Sequence, residues 1–136
     1  PWSYRLRRPD NVTGVSAIPY CDDVLDRSIP LLQFADVSKQ MGIVVTHVHQ
    51  LLRDHKLIAV RRDSVVGVPE AFFGDDGQPV RLLSGLIVVL RDGGFDDEEI
   101  LRWLFTEDES LSATPIETMH TDQAREVVRR AQSMAF

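Results

Sequence analysis

Residues 34–53 read FADVSKQMGIVVTHVHQLLR, and the apolar positions in this stretch decide the fold. Val37 and Met41 lie four residues apart and give a first helix one apolar face, while Val48, Leu51 and Leu52 give a second helix another. Gly42 stands at the corner, where a residue that tolerates positive φ can end a helix, and Ile43 fills the gap between the two faces. Two short helices meeting steeply at a glycine make the pattern of a helix-turn-helix, whose second helix can lie in the major groove of DNA.

The flanks extend that pattern. Leu31, Leu32 and Phe34 suit a short strand or a hydrophobic staple leading into a first helix over about 35–41. Thr46 offers a capping hydroxyl to the second helix, with Val44 and Val45 in the turn, and this helix is expected to reach about Asp54. Residues 56–69, KLIAVRRDSVVGVP, place β-rich runs on both sides of Asp63 and Ser64, which predicts a hairpin directly after the second helix, where a wing belongs. Pro69 then suits the first turn of a short helix holding Phe72 and Phe73.

The second half reads as helical. Ser84 can cap a helix through Leu86 to Leu90, apolar on nearly every side, with Gly93 and Gly94 ending it. Asp96 can cap another, in which Asp97, Glu98 and Glu99 complement the positive end of the helix dipole ahead of Ile100, Leu101, Trp103, Leu104 and Phe105. Residues 106–120 are rich in acids and predict a loop, and a last amphipathic helix from about Thr121 to Ala135 buries Ala124, Val127, Val128, Ala131 and Met134. The expected architecture is mainly α with a small β-hairpin: a flexible tail over 1–28, a winged helix-turn-helix domain over 29–74, and a helical carboxy-terminal domain over 75–136 packed on it.

Bulk properties narrow the function. A chain of 136 residues with 43% hydrophobic content suits one compact domain or two very small ones. The apolar run from Leu82 to Leu90 is too short to span a bilayer, so no membrane association and a cytoplasmic location are expected. A lone cysteine, Cys21, leaves no disulfide and no thiolate cluster for a metal, and no cofactor is expected. The net charge of −6 opposes general attraction to nucleic acid, yet it is unevenly spread. Residues 33–62 carry a net +3 and residues 63–120 a net −10, while Arg5, Arg7 and Arg8 make the first ten residues net +2. The basic excess thus coincides with the helix-turn-helix and the tail.

With a wing and carboxy-terminal helices in place, the chain resembles an actinobacterial family of winged helix-turn-helix proteins, whose mycobacterial member is described as a DNA-binding substrate of a Ser/Thr protein kinase. The resemblance covers about residues 29–136 and is carried by LLRDHKLIAVRR at 51–62, LRDGGFDDEEILRWLFT at 90–106 and QAREVVRRAQSMAF at 123–136. It implies a wing domain similar to excisionase-like and MerR-like DNA readers, joined to a family-specific helical domain. It also implies a kinase as partner and a phosphorylated threonine in the tail, for which Thr13 is the nearest candidate.

On the second helix the residues left outside the apolar face include Thr46, His49, Gln50 and Arg53. Glutamine can pair bidentately with adenine and arginine with guanine, so Gln50 and Arg53 are the candidate base readers, with Thr46 and His49 on phosphates or base edges. Lys56, Arg61 and Arg62 suit phosphate contacts, and the tail arginines suit an adjacent minor groove. His47 and His49 are two apart, about 200° around a helix, which excludes a shared metal ion. Gly93 and Gly94 lack the spacing of a phosphate-binding loop, and no nucleophile, base and orienting group assemble, so an enzyme is not expected. The expected function is that of a DNA-binding transcriptional regulator or nucleoid-type protein, acting as a monomer or weak homodimer on double-stranded DNA. The competing expectation is a protein-protein interaction module built on the winged fold.

Overall fold

The computed structural model describes residues 17–136. Its first helix, α1 (Phe34–Met41), stops at Gly42, which adopts φ 71° and ψ 32° and donates its N–H to the Ser38 carbonyl at 3.0 Å. An L side chain resists that backbone conformation, which explains the glycine at the corner. The Ile43 N–H donates to the same Ser38 carbonyl at 3.1 Å, and the Ser38 hydroxyl donates back to the Ile43 carbonyl. These bonds compress the turn, so that α2 (Val45–Arg53) begins immediately after Val44. The expected Thr46 cap is therefore corrected: Val44 is the N-cap residue, its side chain makes no capping bond, and Thr46 lies inside the helix. Val37, Val48 and Leu52 are all but fully buried between the two helices, as their spacing requires.

Four short strands flank this pair in the order β1-β3-β4-β2. They are β1 (Cys21–Asp22), β2 (Leu31–Gln33), β3 (Val60–Arg62) and β4 (Val65–Pro69). The wing is the β3–β4 hairpin, turned by Asp63 and Ser64 at φ 51° and 69°. Two successive positive φ values match the twist of a tight hairpin, although neither residue is the glycine or asparagine that favours it. β4 also pairs antiparallel with β2, placing Leu32 opposite Val68. β1 pairs parallel with β3, Cys21 opposite Val60. That pairing corrects the tail expected over 1–28: residues 17–28 are part of the fold, and Leu25 is 8% exposed in the core.

A 3₁₀ turn (Glu70–Phe72) leads into the helical part, with Pro69 before it rather than inside it. α3 (Leu83–Asp92) begins at Leu83 and not after Ser84, because Leu83 is completely buried and its packing outweighs the capping preference of a serine that stays exposed. Its N-cap residue, Leu82, is held at φ 77°. The helix is not buried all round either, since Val88 is 40% exposed. α4 (Asp97–Leu104) starts as expected: Asp96 accepts from the Glu99 N–H at 2.8 Å and Glu99 accepts from the Asp96 N–H at 3.0 Å.

Residues 106–120 are not simply a loop. Thr114 and Glu117 form a second capping box around α5 (Pro115–Met119), which buries Pro115, Ile116, Thr118 and Met119. Thr114→Ala is expected to lower stability by about 1 kcal/mol, a drop of roughly 3–5 °C in the melting temperature on a calorimetric scan. An unchanged melting temperature would show that the box carries no weight. α6 (Ala124–Ala135) buries Val127 and Ala131 against α3, but Met134 is 42% exposed, contrary to expectation: the packed line runs through Val127, Ala131 and Ala135, the last against Gly93, and leaves Met134 beside it. The buried side chains of both halves form one continuous core, and Phe72 bridges them with its ring centroid 6.2 Å from that of Phe105.

Cys21 of β1 sits within this joint, against the start of α4. Burial pushes its thiol pKa far above the ordinary value, and the acids Asp97, Glu98, Asp22 and Asp96 push in the same direction.

Candidate nucleic-acid interface

The apolar face of α2 fixes which side chains the helix can show to solvent. With Val48 and Leu52 turned inward, Thr46, Gln50 and Arg53 follow one another at intervals of four and three and form an outward stripe. Thr46, His47 and Gln50 are exposed, and Arg53 is half-buried. The Gln50 amide donates to the Asp54 carboxylate at 2.9 Å, one turn along the helix, which restrains its rotamer and leaves its carbonyl oxygen unpaired. The Nε of Arg53 is buried without a hydrogen-bond partner. This guanidinium retains donor capacity that its own fold does not satisfy.

His49 is half-buried beside this stripe, packed edge to face on Phe34 with ring centroids 5.5 Å apart. Burial lowers its pKa, and the neighbouring Arg53 charge lowers it further. At neutral pH the ring is an uncharged donor and acceptor, suited to a base edge or a neutral contact rather than to service as a phosphate cation.

After α2 the chain reverses through His55 at φ 60°, with the Lys56 N–H donating to the Leu51 carbonyl at 2.9 Å. Lys56 is exposed. Arg61 is exposed on β3, opposite Val66 of β4. Neither cation, nor Arg53, is ion-paired with an acid among the described residues. Arg53, Lys56 and Arg61 thus lie on three successive segments, the end of α2, the reversal and the wing, with Asp22 of β1 beside Arg61 in the sheet register.

Arg62 requires a correction. Side chains alternate along a strand, and since Val60 is fully buried, Arg62 shares the inward side with it while Arg61 faces out. Its Nε binds the Asp23 carboxylate, one terminal nitrogen donates to the Ile29 carbonyl at 2.8 Å, and the other donates to the Asp26 carbonyl at 3.2 Å. The two charged side chains are only 15% and 12% exposed. Burial works against the ionised form of Asp23, yet the Arg62 hydrogen bond, the Leu25 N–H and the Arg62 charge outweigh it and hold the carboxyl below its usual range. Arg62 is thus a clamp on residues 23–29 rather than a phosphate contact.

Two features lay outside the sequence reading. At the wing tip Arg27 pairs with Asp63, both side chains remaining well exposed. Val44 and Val45, at the entrance of α2, are exposed as well. Thr13 and the arginines at 5, 7 and 8 lie outside the described residues. Among the described residues no group of three or more His, Cys, Asp or Glu side chains is placed to share a metal ion, and no helix is long and apolar enough to cross a membrane.

An open groove of about 840 Å³ lies between the loop at 74–82 and the junction of α5 with α6. Its rim mixes Asp75, Asp76 and Asp122 with Arg81 and Arg125, and His120, which also lines it, bonds the Ala71 carbonyl at 2.6 Å.

Comparison with known proteins matches this geometry to a described pair of domains. The family model "DNA-binding protein Rv2175c, wHTH domain" matches residues 17–73, and "Rv2175c C-terminal domain of unknown function" matches residues 80–135. A curated relative from Mycobacterium tuberculosis (strain ATCC 25618 / H37Rv), "DNA-binding protein Rv2175c", is 46% identical over 134 residues, spanning 90% of this chain and 92% of its own. A solved structure, "NMR structure of Rv2175c", superposes with a TM-score of 0.80 at 43% identity, covering 95% of this chain and 100% of that one.

Proposed function

Because this chain belongs to the Rv2175c family of winged helix-turn-helix proteins, we propose that it binds double-stranded DNA, as a regulator of transcription or a nucleoid-type protein. In this reading α2 enters the major groove and the wing lies on the phosphate backbone. The observation that carries it is the outward stripe of Thr46, Gln50 and Arg53 on α2, followed along the chain by the exposed Lys56 and Arg61, which have no ion pair among the described residues, in a protein whose net charge is −6. A polyanion is the partner that exposed cations gathered in the sequence around a recognition helix suit in an otherwise acidic protein. Gln50 and Arg53 are the base readers, and Lys56 and Arg61 fix the register on phosphates. Three cations make a small footprint. Either low sequence specificity or pairing of two copies then completes the affinity.

The test is a salt-series titration on random duplexes, read beside the protein's solution mass. Wild-type binding should weaken steeply as salt rises, and Arg61→Ala should lower the slope of log affinity against log salt by about one. An unchanged slope and affinity would remove the wing from the interface. A second reading, a protein-binding module, draws on the apolar side chains Val88, Met134 and Phe136, which stay 40%, 42% and 87% exposed on α3 and at the end of α6. Self-association without any DNA binding at low salt would decide in its favour.

A further inference from the structure

We infer that Val44 and Val45 read thymine, their methyl groups meeting the C5-methyl groups that thymine presents in the major groove. The inference rests on the DNA-binding reading and names the chemical feature that its site recognises.

Val44 is 68% exposed and Val45 37% exposed, side by side at the amino-terminal end of α2. Val44 is also the N-cap residue, a position where Ser, Thr, Asp or Asn would satisfy a free helix amide and where valine is among the poorest choices. Folding therefore gains nothing from this side chain: it covers no core, makes no capping bond and leaves apolar surface in water. Local rules broken without a structural return concentrate at functional sites.

The site is also where a reader belongs. The amino-terminal residues of a recognition helix are those that reach base edges. Guanine, cytosine and adenine present hydrogen-bonding groups in the major groove, whereas thymine adds the one apolar group, its C5-methyl. Gln50, on the outward stripe behind the valines, suits adenine, the base that pairs with thymine. The surroundings favour DNA over an apolar protein surface as the occupant. Thr46 and His47 are exposed polar neighbours on the same helix, and Arg53 at its far end, with Lys56 and Arg61 beyond it in the chain, has no ion pair among the described residues.

The experiment uses the full chain. Duplexes selected by the wild-type protein from a random pool are synthesised again with deoxyuridine in place of thymidine, which removes the C5-methyl and preserves every base-pair hydrogen bond. Binding should weaken about fourfold for each contacted methyl, the equivalent of one buried methylene group. Val44→Ser, which supplies a capping hydroxyl, should raise the melting temperature and at the same time lose the preference for thymidine over deoxyuridine. A role confined to folding would move only the melting temperature. Equal wild-type binding to the two duplexes overturns the valine contact alone, and so does a Val44→Ser protein that keeps the full preference. Binding to neither duplex at low salt overturns the DNA reading and this inference with it.

Discussion

Arg62→Ala should lower the unfolding free energy by about 3 kcal/mol in a denaturant titration, because it leaves the largely buried Asp23 carboxylate without its cation and two backbone carbonyls without a donor. Arg62→Lys should recover only part of the loss, since an ammonium keeps the charge but cannot fork to three acceptors. Arg61→Ala, one residue away and exposed, should stay within about 0.5 kcal/mol of wild type.

Acid should separate the variants further. Asp23 has a depressed pKa in the folded state, so its pair stabilises the fold above the ordinary carboxylate range, near pH 4, and that contribution is lost as pH falls through the lower folded value. The acid-side loss of stability should therefore shrink in Arg62→Ala. Equal stability of Arg62→Ala and wild type at pH 7 would show that residues 23–29 are held by something else.

Phe72→Ala should be at least as costly, roughly 3–5 kcal/mol, because the ring is fully buried and its removal opens a cavity at the joint between the two halves. That is a large share of the 5–15 kcal/mol typical of a whole domain. Phe72 touches Phe105 across the joint and the core runs through without a gap, so the loss should be felt on both sides. Amide hydrogen exchange should accelerate together in α2 and α4, within a single unfolding transition. Acceleration confined to α2 would mean that the winged part opens on its own.

Much of this fold is legible in the amino-acid sequence. The helix-turn-helix followed from two apolar faces and one glycine, the wing from paired β-rich runs, and α4 from a capping aspartate followed by three acids at the positive end of the helix. Each of these signals is local: a helical period or a capped, acidic helix start is complete within a few residues. The failures have the opposite character. β1 is two residues long, too short for any period, and exists only through its pairing with β3. Leu82 caps α3 because Leu83 must be buried, a tertiary demand. α5 is the exception, since Thr114, Pro115 and Glu117 are a complete local start signal obscured by the surrounding acids.

The candidate interface divides along the same line. The outward stripe of α2 could be read from helical spacing, which is why Thr46, Gln50 and Arg53 emerge where expected. Arg61 and Arg62 resemble one basic unit in the sequence, yet strand alternation from Val60 sends them to opposite sides. That signal was available and was hidden by the attraction of two adjacent cations. The exposure of Val44 could not have been foreseen, because it depends on how tightly Ser38 closes the turn.

The joint at β1 also determines how the one thiol behaves. A cysteine reacts as its thiolate, and burial among acids keeps Cys21 in the neutral form. Reducing and mildly oxidising conditions should leave the folded protein alike, so any association between copies depends on noncovalent surfaces. Alkylation of Cys21 should therefore be slow in the folded state and quicken when β1 leaves the sheet, which makes the rate of thiol labelling a clock for the opening of the strand that Arg62 holds in place.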